Sequence, residues 1–181
     1  MDKLVAGVLK SARELGIEPC FEFDAGLLVP EERIREYCYE NKCGNYRNHY
    51  MCPPHAGSIE EIRARLSTFG RGVLLQYSKP IDVRNDIVGV RQTRVDFHRK
   101  ILRLEAFLKE EGFDGVWGMI GGSCALCEVC RAKFDEPCPF PDEARTSLES
   151  IAVNVLALLE RFGLDNEFHP DKITWTGCIL F

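Results

Sequence analysis

The chain has 181 residues, 45% of them hydrophobic and 28% charged, with a formal net charge of -5 and a sequence pI of about 5.5. That length buries one good core and not two, so a single domain over 1–181 is expected, and the acidic balance argues against nucleic acid as the main partner. No apolar stretch is long enough to span a bilayer, and residues 1–15 lack the continuous apolar centre of a secretion signal; a cytoplasmic protein is the expectation.

Residues 2–15 place Leu4, Val5, Val8, Leu9, Ala12 and Leu15 on one stripe before Gly16, which predicts a first helix. Ile17 to Val29 mixes aromatic and aliphatic residues with Pro19 and Gly26, an extended segment broken by a turn. Pro30 at a first helical position, followed by Glu31 and Glu32, opens a short helix to about Tyr39, with Cys38 near its end. Residues 41–57 carry Asn, Gly and a Pro-Pro pair and read as an irregular loop.

Ser58 with Glu61 is a capping box for the next helix. Gly72 to Tyr77 is a buried strand, and residues 84–111 form a long helix with Ile87, Val90, Arg94, Val95, His98, Ile101, Glu105 and Leu108 along one line. Val116 to Ile120 is a second short strand that leads into Gly121-Gly122. Ile151 to Phe162 reads as an apolar helix closed by Gly163, and Lys172 to Phe181 as a last strand. The expected fold is α/β, with α+β as the variant: about four strands, flanking helices and two cysteine-rich loops on the rim.

Nine cysteines is a high count, and seven fall in two short windows. Cysteines used as small hydrophobes would be scattered along the core periodicity, and cytosolic thiols are kept reduced, so clustering points to metal. The second window reads Cys124-x2-Cys127-x2-Cys130-x7-Cys138-Pro139. Two-residue gaps let consecutive thiolates converge on one centre, and three such cysteines with a more distant fourth before proline is the bacterial ferredoxin arrangement with a longer last gap. A [4Fe-4S] cluster is the first reading. Structural zinc also takes four thiolates but usually through two separated C-x2-C pairs, and it is the alternative. Gly121 and Gly122 would admit backbone N–H groups toward a cluster, and Arg131 and Lys133 would offset its charge.

The first window is Cys38-x4-Cys43-x8-Cys52-Pro53-Pro54. Three cysteines suggest a second cluster whose fourth ligand is Cys20, Cys178, His49, His55 or a non-protein group. Because the last cysteine of a ferredoxin run can ligate the other cluster, Cys138 can belong to either site. His55, three residues after Cys52, is the histidine best placed to act near thiolates; His98, on the apolar line, is more simply a core histidine; His169, before Pro170, is expected to be exposed. Tyr46, Arg47, Asn48 and Tyr50 can line a pocket or simply cover the site. No phosphate loop, nucleophile elbow or zinc-protease helix is present in the sequence.

Arg35, Cys38, Cys43, Gly44, Tyr46, Cys52, Pro53 and Pro54, with the Gly121 to Cys138 run and then Arg145, Ser147 and Glu149, resemble over nearly the whole chain a family of small cysteine-rich prokaryotic proteins described only as predicted metal-binding. The resemblance implies that the seven clustered cysteines are the ligand set and that Cys20 and Cys178 are bystanders. Near Ser150-Ile151 the family pattern has a glycine that this chain lacks. Three functions remain: a redox protein with one or two clusters and a protein partner, an enzyme or metal-delivery factor with a small molecule at an open iron beside Tyr46, His49 and His55, or a zinc-stapled interaction module.

Overall fold

The computed structural model describes residues 2–181. Four antiparallel strands, β1 (Cys20–Asp24), β2 (Arg71–Pro80), β3 (Trp117–Met119) and β4 (Lys172–Leu180), form one open sheet in the order β1-β2-β4-β3. Five helices flank it: α1 (Lys3–Glu14), α2 (Glu32–Tyr39), α3 (Ile59–Leu66), α4 (Ile87–Glu110) and α5 (Val155–Arg161).

Side chains alternate across the pleat, so the sheet has two buried faces. Val73, Leu75, Tyr77 and Ile179 point to the face covered by α1 and α4, where Val5, Val8, Phe97, Ile101, Leu104 and Leu108 fill the core. Leu74, Cys178 and Leu180 point the other way, onto Ile62, Leu66, Leu148, Ile151 and Leu158. Burial of each such side chain contributes on the order of 1.5–3 kcal/mol. No helix among the described residues is long and apolar enough to cross a membrane.

The expected α/β domain is therefore observed, with the Ser58–Glu61 capping box formed in both directions. α4 begins at Ile87 and not at residue 84, β2 runs on through Pro80, and two further boundaries differ from the sequence reading. Pro30 does not start α2; it bridges to Val153, Glu31 is the N-cap, and the Pro30 carbonyl accepts from Arg63 Nη2 at 3.0 Å. The helix expected from Ile151 begins only at Val155, because Ala152 turns left-handed at φ 64 and Asn154 then caps the helix by accepting from Ala157 N. Ile151 and Val153 are buried through that turn, so their apolarity reports burial and not helix. The long helix packs its apolar line only from Val95 onward; Ile87 and Val88 are exposed.

Candidate metal centres

All nine cysteines are free. The chain leaves β3 through Ile120, whose N–H donates to the Thr146 carbonyl at 2.9 Å, and passes through Gly121 and Gly122 into the second cysteine window. These glycines are packed closely against β4. A Cβ on Gly121 would lie 3.0 Å from Trp175 Cβ and from Thr176 N, so its absence lets the strand exit pack on β4, and Gly122 adopts φ 69. The backbone N–H groups of Leu126 and Arg145 lower the Cys124 thiol and oppose the upward push of its burial.

Cys124, Cys127, Cys130 and Cys138 line one small cavity together with His49, Tyr50, Met51 and Phe140. Negative charge at Cys127 and Cys130 adds to the upward push of burial on the Cys124 thiol. Burial raises the Cys127 thiol, and negative charge at Cys138 and Cys130 raises it further, while Arg131 and Arg91 pull it down. Cys138 thus stands with its own window. Arg131, which also pairs with Glu136 at 3.0 Å, is one of the two charges that lower the Cys127 thiol. The sequence reading missed two arginines of α4. Arg91 Nη2 donates to the carbonyls of Ala125 and Cys127, both at 3.0 Å, and Arg94 Nη1 donates to Ser123 Oγ at 3.3 Å. The signal was present, since Arg94 sits on the apolar line of α4 next to the buried Val95 and His98, where a guanidinium needs partners.

The 142–147 segment is held against the sheet by a buried ion pair. Arg145 Nε donates to Glu105 Oε1 at 2.7 Å, and the same oxygen accepts from Gly118 N at 2.8 Å. This places the Arg145 amide on Cys124, and it explains why an acidic residue lies on the apolar line of α4.

The first window wraps onto the second. His49 is buried; its Nδ1 accepts from Met51 N at 3.1 Å, so Nε2 carries the hydrogen and donates to the Cys124 carbonyl at 3.0 Å. Tyr50 donates to the Glu136 carbonyl at 2.8 Å, and Thr146 Oγ1 to the Met51 carbonyl at 3.1 Å. Cys38 is the penultimate residue of α2, Cys43 is exposed in the loop and Cys52 is buried. Burial pushes the Cys52 thiol up to about 11; the Ser150 hydroxyl, 3.6 Å away, opposes this, and charge at Cys43, Cys38 and Cys130 adds to it. Cys38 is likewise raised by burial and lowered by Arg35.

Several candidates for a fourth ligand in this window are placed elsewhere. Cys178 pairs with Leu74 and Met119 inside the sheet, and Cys20 directs its sulfur to the Leu9 carbonyl. His49 has both ring nitrogens engaged. His55 is exposed, packs on Tyr50 and faces the Arg47 carbonyl at 3.2 Å. His98 is buried on α4 and bonds the Glu143 carbonyl at 2.8 Å, as a core histidine does; His169, partly exposed, bonds Asp165 at 2.8 Å. Among the described residues no three His, Cys, Asp or Glu side chains are gathered tightly enough to hold a single metal ion as they stand.

Of the residues of the resemblance other than cysteine, Arg35 and Ser147 lie by the first window, whereas Arg145, Gly121 and Gly122 lie by the second. Arg35 is 4% exposed, and its Nε and Nη2 are fully buried without a partner. Ser147 Oγ donates to Ser150 Oγ at 3.1 Å, which in turn reaches Cys52. Glu149, exposed, lines a cavity of about 600 Å³ with Gln76, Gly122, Trp175 and Thr176. A family model described as predicted metal-binding protein (DUF2284) matches residues 22–181. The chain belongs to this family. No curated protein and no solved structure gives a match. Family membership makes this a predicted metal-binding, cysteine-rich protein and leaves the metal open.

Proposed function

We propose that the chain is an iron–sulfur protein, with one [4Fe-4S] cluster on Cys124, Cys127, Cys130 and Cys138, a second on Cys38, Cys43 and Cys52, and a redox protein as partner. The observation that carries this reading is the arrangement of the C-x2-C-x2-C-x7-C thiols around one cavity, with the Arg91 guanidinium holding the Ala125 and Cys127 carbonyls of the same loop. Such clusters, when bound, supply one-electron redox chemistry at a potential set by charge, hydrogen bonds to sulfur and solvent.

The donor set fits this chemistry. Thiols are the ligands, the Leu126 and Arg145 N–H groups stabilise the Cys124 thiolate, and Arg91 and Arg131 lower the cost of negative charge at Cys127. His49 fixes the Cys124 carbonyl from the other loop. Charge at Cys130 reaches Cys52, so the two windows are electrostatic neighbours, which suits electron passage between two centres. Val129, Phe134 and Phe140 are exposed on the same loop, an apolar rim for a partner.

Visible absorption of anaerobically purified protein tests this. A brown protein that bleaches with dithionite and recovers on oxidation supports it; a colourless protein from iron-replete cells favours the zinc-stapled interaction module. One observation also favours a small-molecule role at the first window: it offers three cysteines and no evident fourth ligand among the placed candidates, beside an unpartnered arginine.

A further inference from the structure

Residues of α3, α4 and β3 and the segment 144–146 wall a cavity of about 370 Å³, together with Tyr50 and His55 of the first cysteine loop. Arg65, Lys109 and Arg145 all line it, and Glu105 is its one carboxylate. In a chain whose formal net charge is -5, this is a local surplus of positive charge.

Glu105 does not neutralise all three cations. Its Oε1 accepts from Arg145 Nε and Gly118 N and its Oε2 from Arg145 Nη2, while Arg145 Nη1 donates to the Asp142 and Ala144 carbonyls, both at 2.9 Å. That pair is closed on itself. The other donors on the wall are also engaged: Tyr50 donates to the Glu136 carbonyl and Thr146 to the Met51 carbonyl. Among the described residues, the Arg65 guanidinium and the Lys109 ammonium have no hydrogen bond and no ion pair to protein. Arg65 Cζ lies 3.8 Å from the centroid of the Trp117 ring, which holds the guanidinium at the cavity. Partial burial and the charge of Arg145 push the Arg65 guanidinium down, and only Glu105 opposes them, as in a cationic site short of an anion.

We propose that this cavity binds a small phosphate monoester, with its dianionic phosphate between Arg65 and Lys109 and its organic part against Met51, Val116 and Ala144. The two cations come from different helices. A tetrahedral phosphate offers separate oxygens to a guanidinium and to an ammonium and carries both neutralising charges on one group, whereas a monocarboxylate carries one. The volume falls in the range of small-molecule sites, about 300–1,000 Å³. No cysteine takes part, so the site does not depend on which metal the two windows hold.

The test is calorimetric titration of the full-length, metal-loaded protein at low ionic strength with inorganic phosphate, glycerol 3-phosphate and AMP, and with glycerol, adenosine and acetate as counterparts. Variants are compared at equal metal content. The expected result is saturable binding of glycerol 3-phosphate or AMP, tighter than that of inorganic phosphate and at least tenfold tighter than that of any counterpart. Arg65→Met and Lys109→Met should each weaken it at least tenfold, and Lys10→Met, on α1, should leave it unchanged. Arg65→Met loses its contact with Trp117, so Lys109→Met, at an exposed position, carries the comparison if the first variant fails to fold. No saturable binding of either ester, adenosine binding as well as AMP, or affinity unchanged in Lys109→Met overturns the proposal. Inorganic phosphate binding as tightly as both esters overturns the assignment to a monoester and leaves a site for the free ion.

Discussion

Replacing Glu105 with alanine removes the carboxylate that receives Arg145 Nε at 2.7 Å and Gly118 N at 2.8 Å. The side chains of Glu105 and Arg145 are only 4% and 16% exposed, so the stranded guanidinium and amide are left with little water. Breaking a buried pair from one side costs about 3–5 kcal/mol. For a chain of this size each kcal/mol lowers the melting temperature by about 2–4 °C, so Glu105→Ala should melt about 6–20 °C below the parent. Thermal and urea melts of the metal-loaded protein measure this. The same variant should also lose iron faster to a chelator, because Arg145 supplies an N–H to Cys124 and Thr146 anchors Met51. A Glu105→Met/Arg145→Met double variant should recover much of the loss in melting temperature, since a buried pair replaced by apolar groups is often neutral or better. A Glu105→Ala loss under about 1 kcal/mol, with chelator resistance unchanged, would refute the reasoning.

Cys20→Ala and Cys178→Ala should keep the full metal content, as both sulfurs are in the core; iron analysis checks this. Arg91→Met removes two bonds to the carbonyls of the second window and one positive charge near Cys127, so it should lower the reduction potential of that centre, read by a dye-monitored titration. Ala152→Gly relieves a left-handed residue and should stabilise the fold by about 1 kcal/mol in urea melts. Metal uptake should strengthen with pH: the Cys52 thiol is pushed up to about 11, the bound form is the thiolate, and a proton must leave at any pH below that. For this ligand alone each pH unit is worth about tenfold in affinity, so chelator competition at pH 7 and pH 8 should differ at least that much.

Much of the architecture is written in local pattern. The stripe in α1, the Ser58–Glu61 box and the apolar run at β2 each specify their element with residues close in sequence. The start of α5 was not legible, because Ile151 and Val153 are apolar for the sake of the core while the left-handed Ala152 decides the backbone. At the site, the cysteine spacing marked both windows and the grouping of Cys38 with Cys43 and Cys52. It did not decide the side on which Cys138 falls, which depends on the fold of residues 131–138. The partners of the sulfurs were hidden for the same reason: Arg91 comes from a helix more than thirty residues upstream of Cys127, and the Arg145 amide has no sequence signature at all.

The most direct test is elemental. Iron, acid-labile sulfide and zinc are counted per chain in anaerobically purified protein and in a variant with Cys124, Cys127, Cys130 and Cys138 all changed to alanine. The account predicts iron and sulfide in equal amounts, near eight of each for two clusters, falling to about half in the variant. Zinc without iron or sulfide, from cells amply supplied with iron, would contradict it.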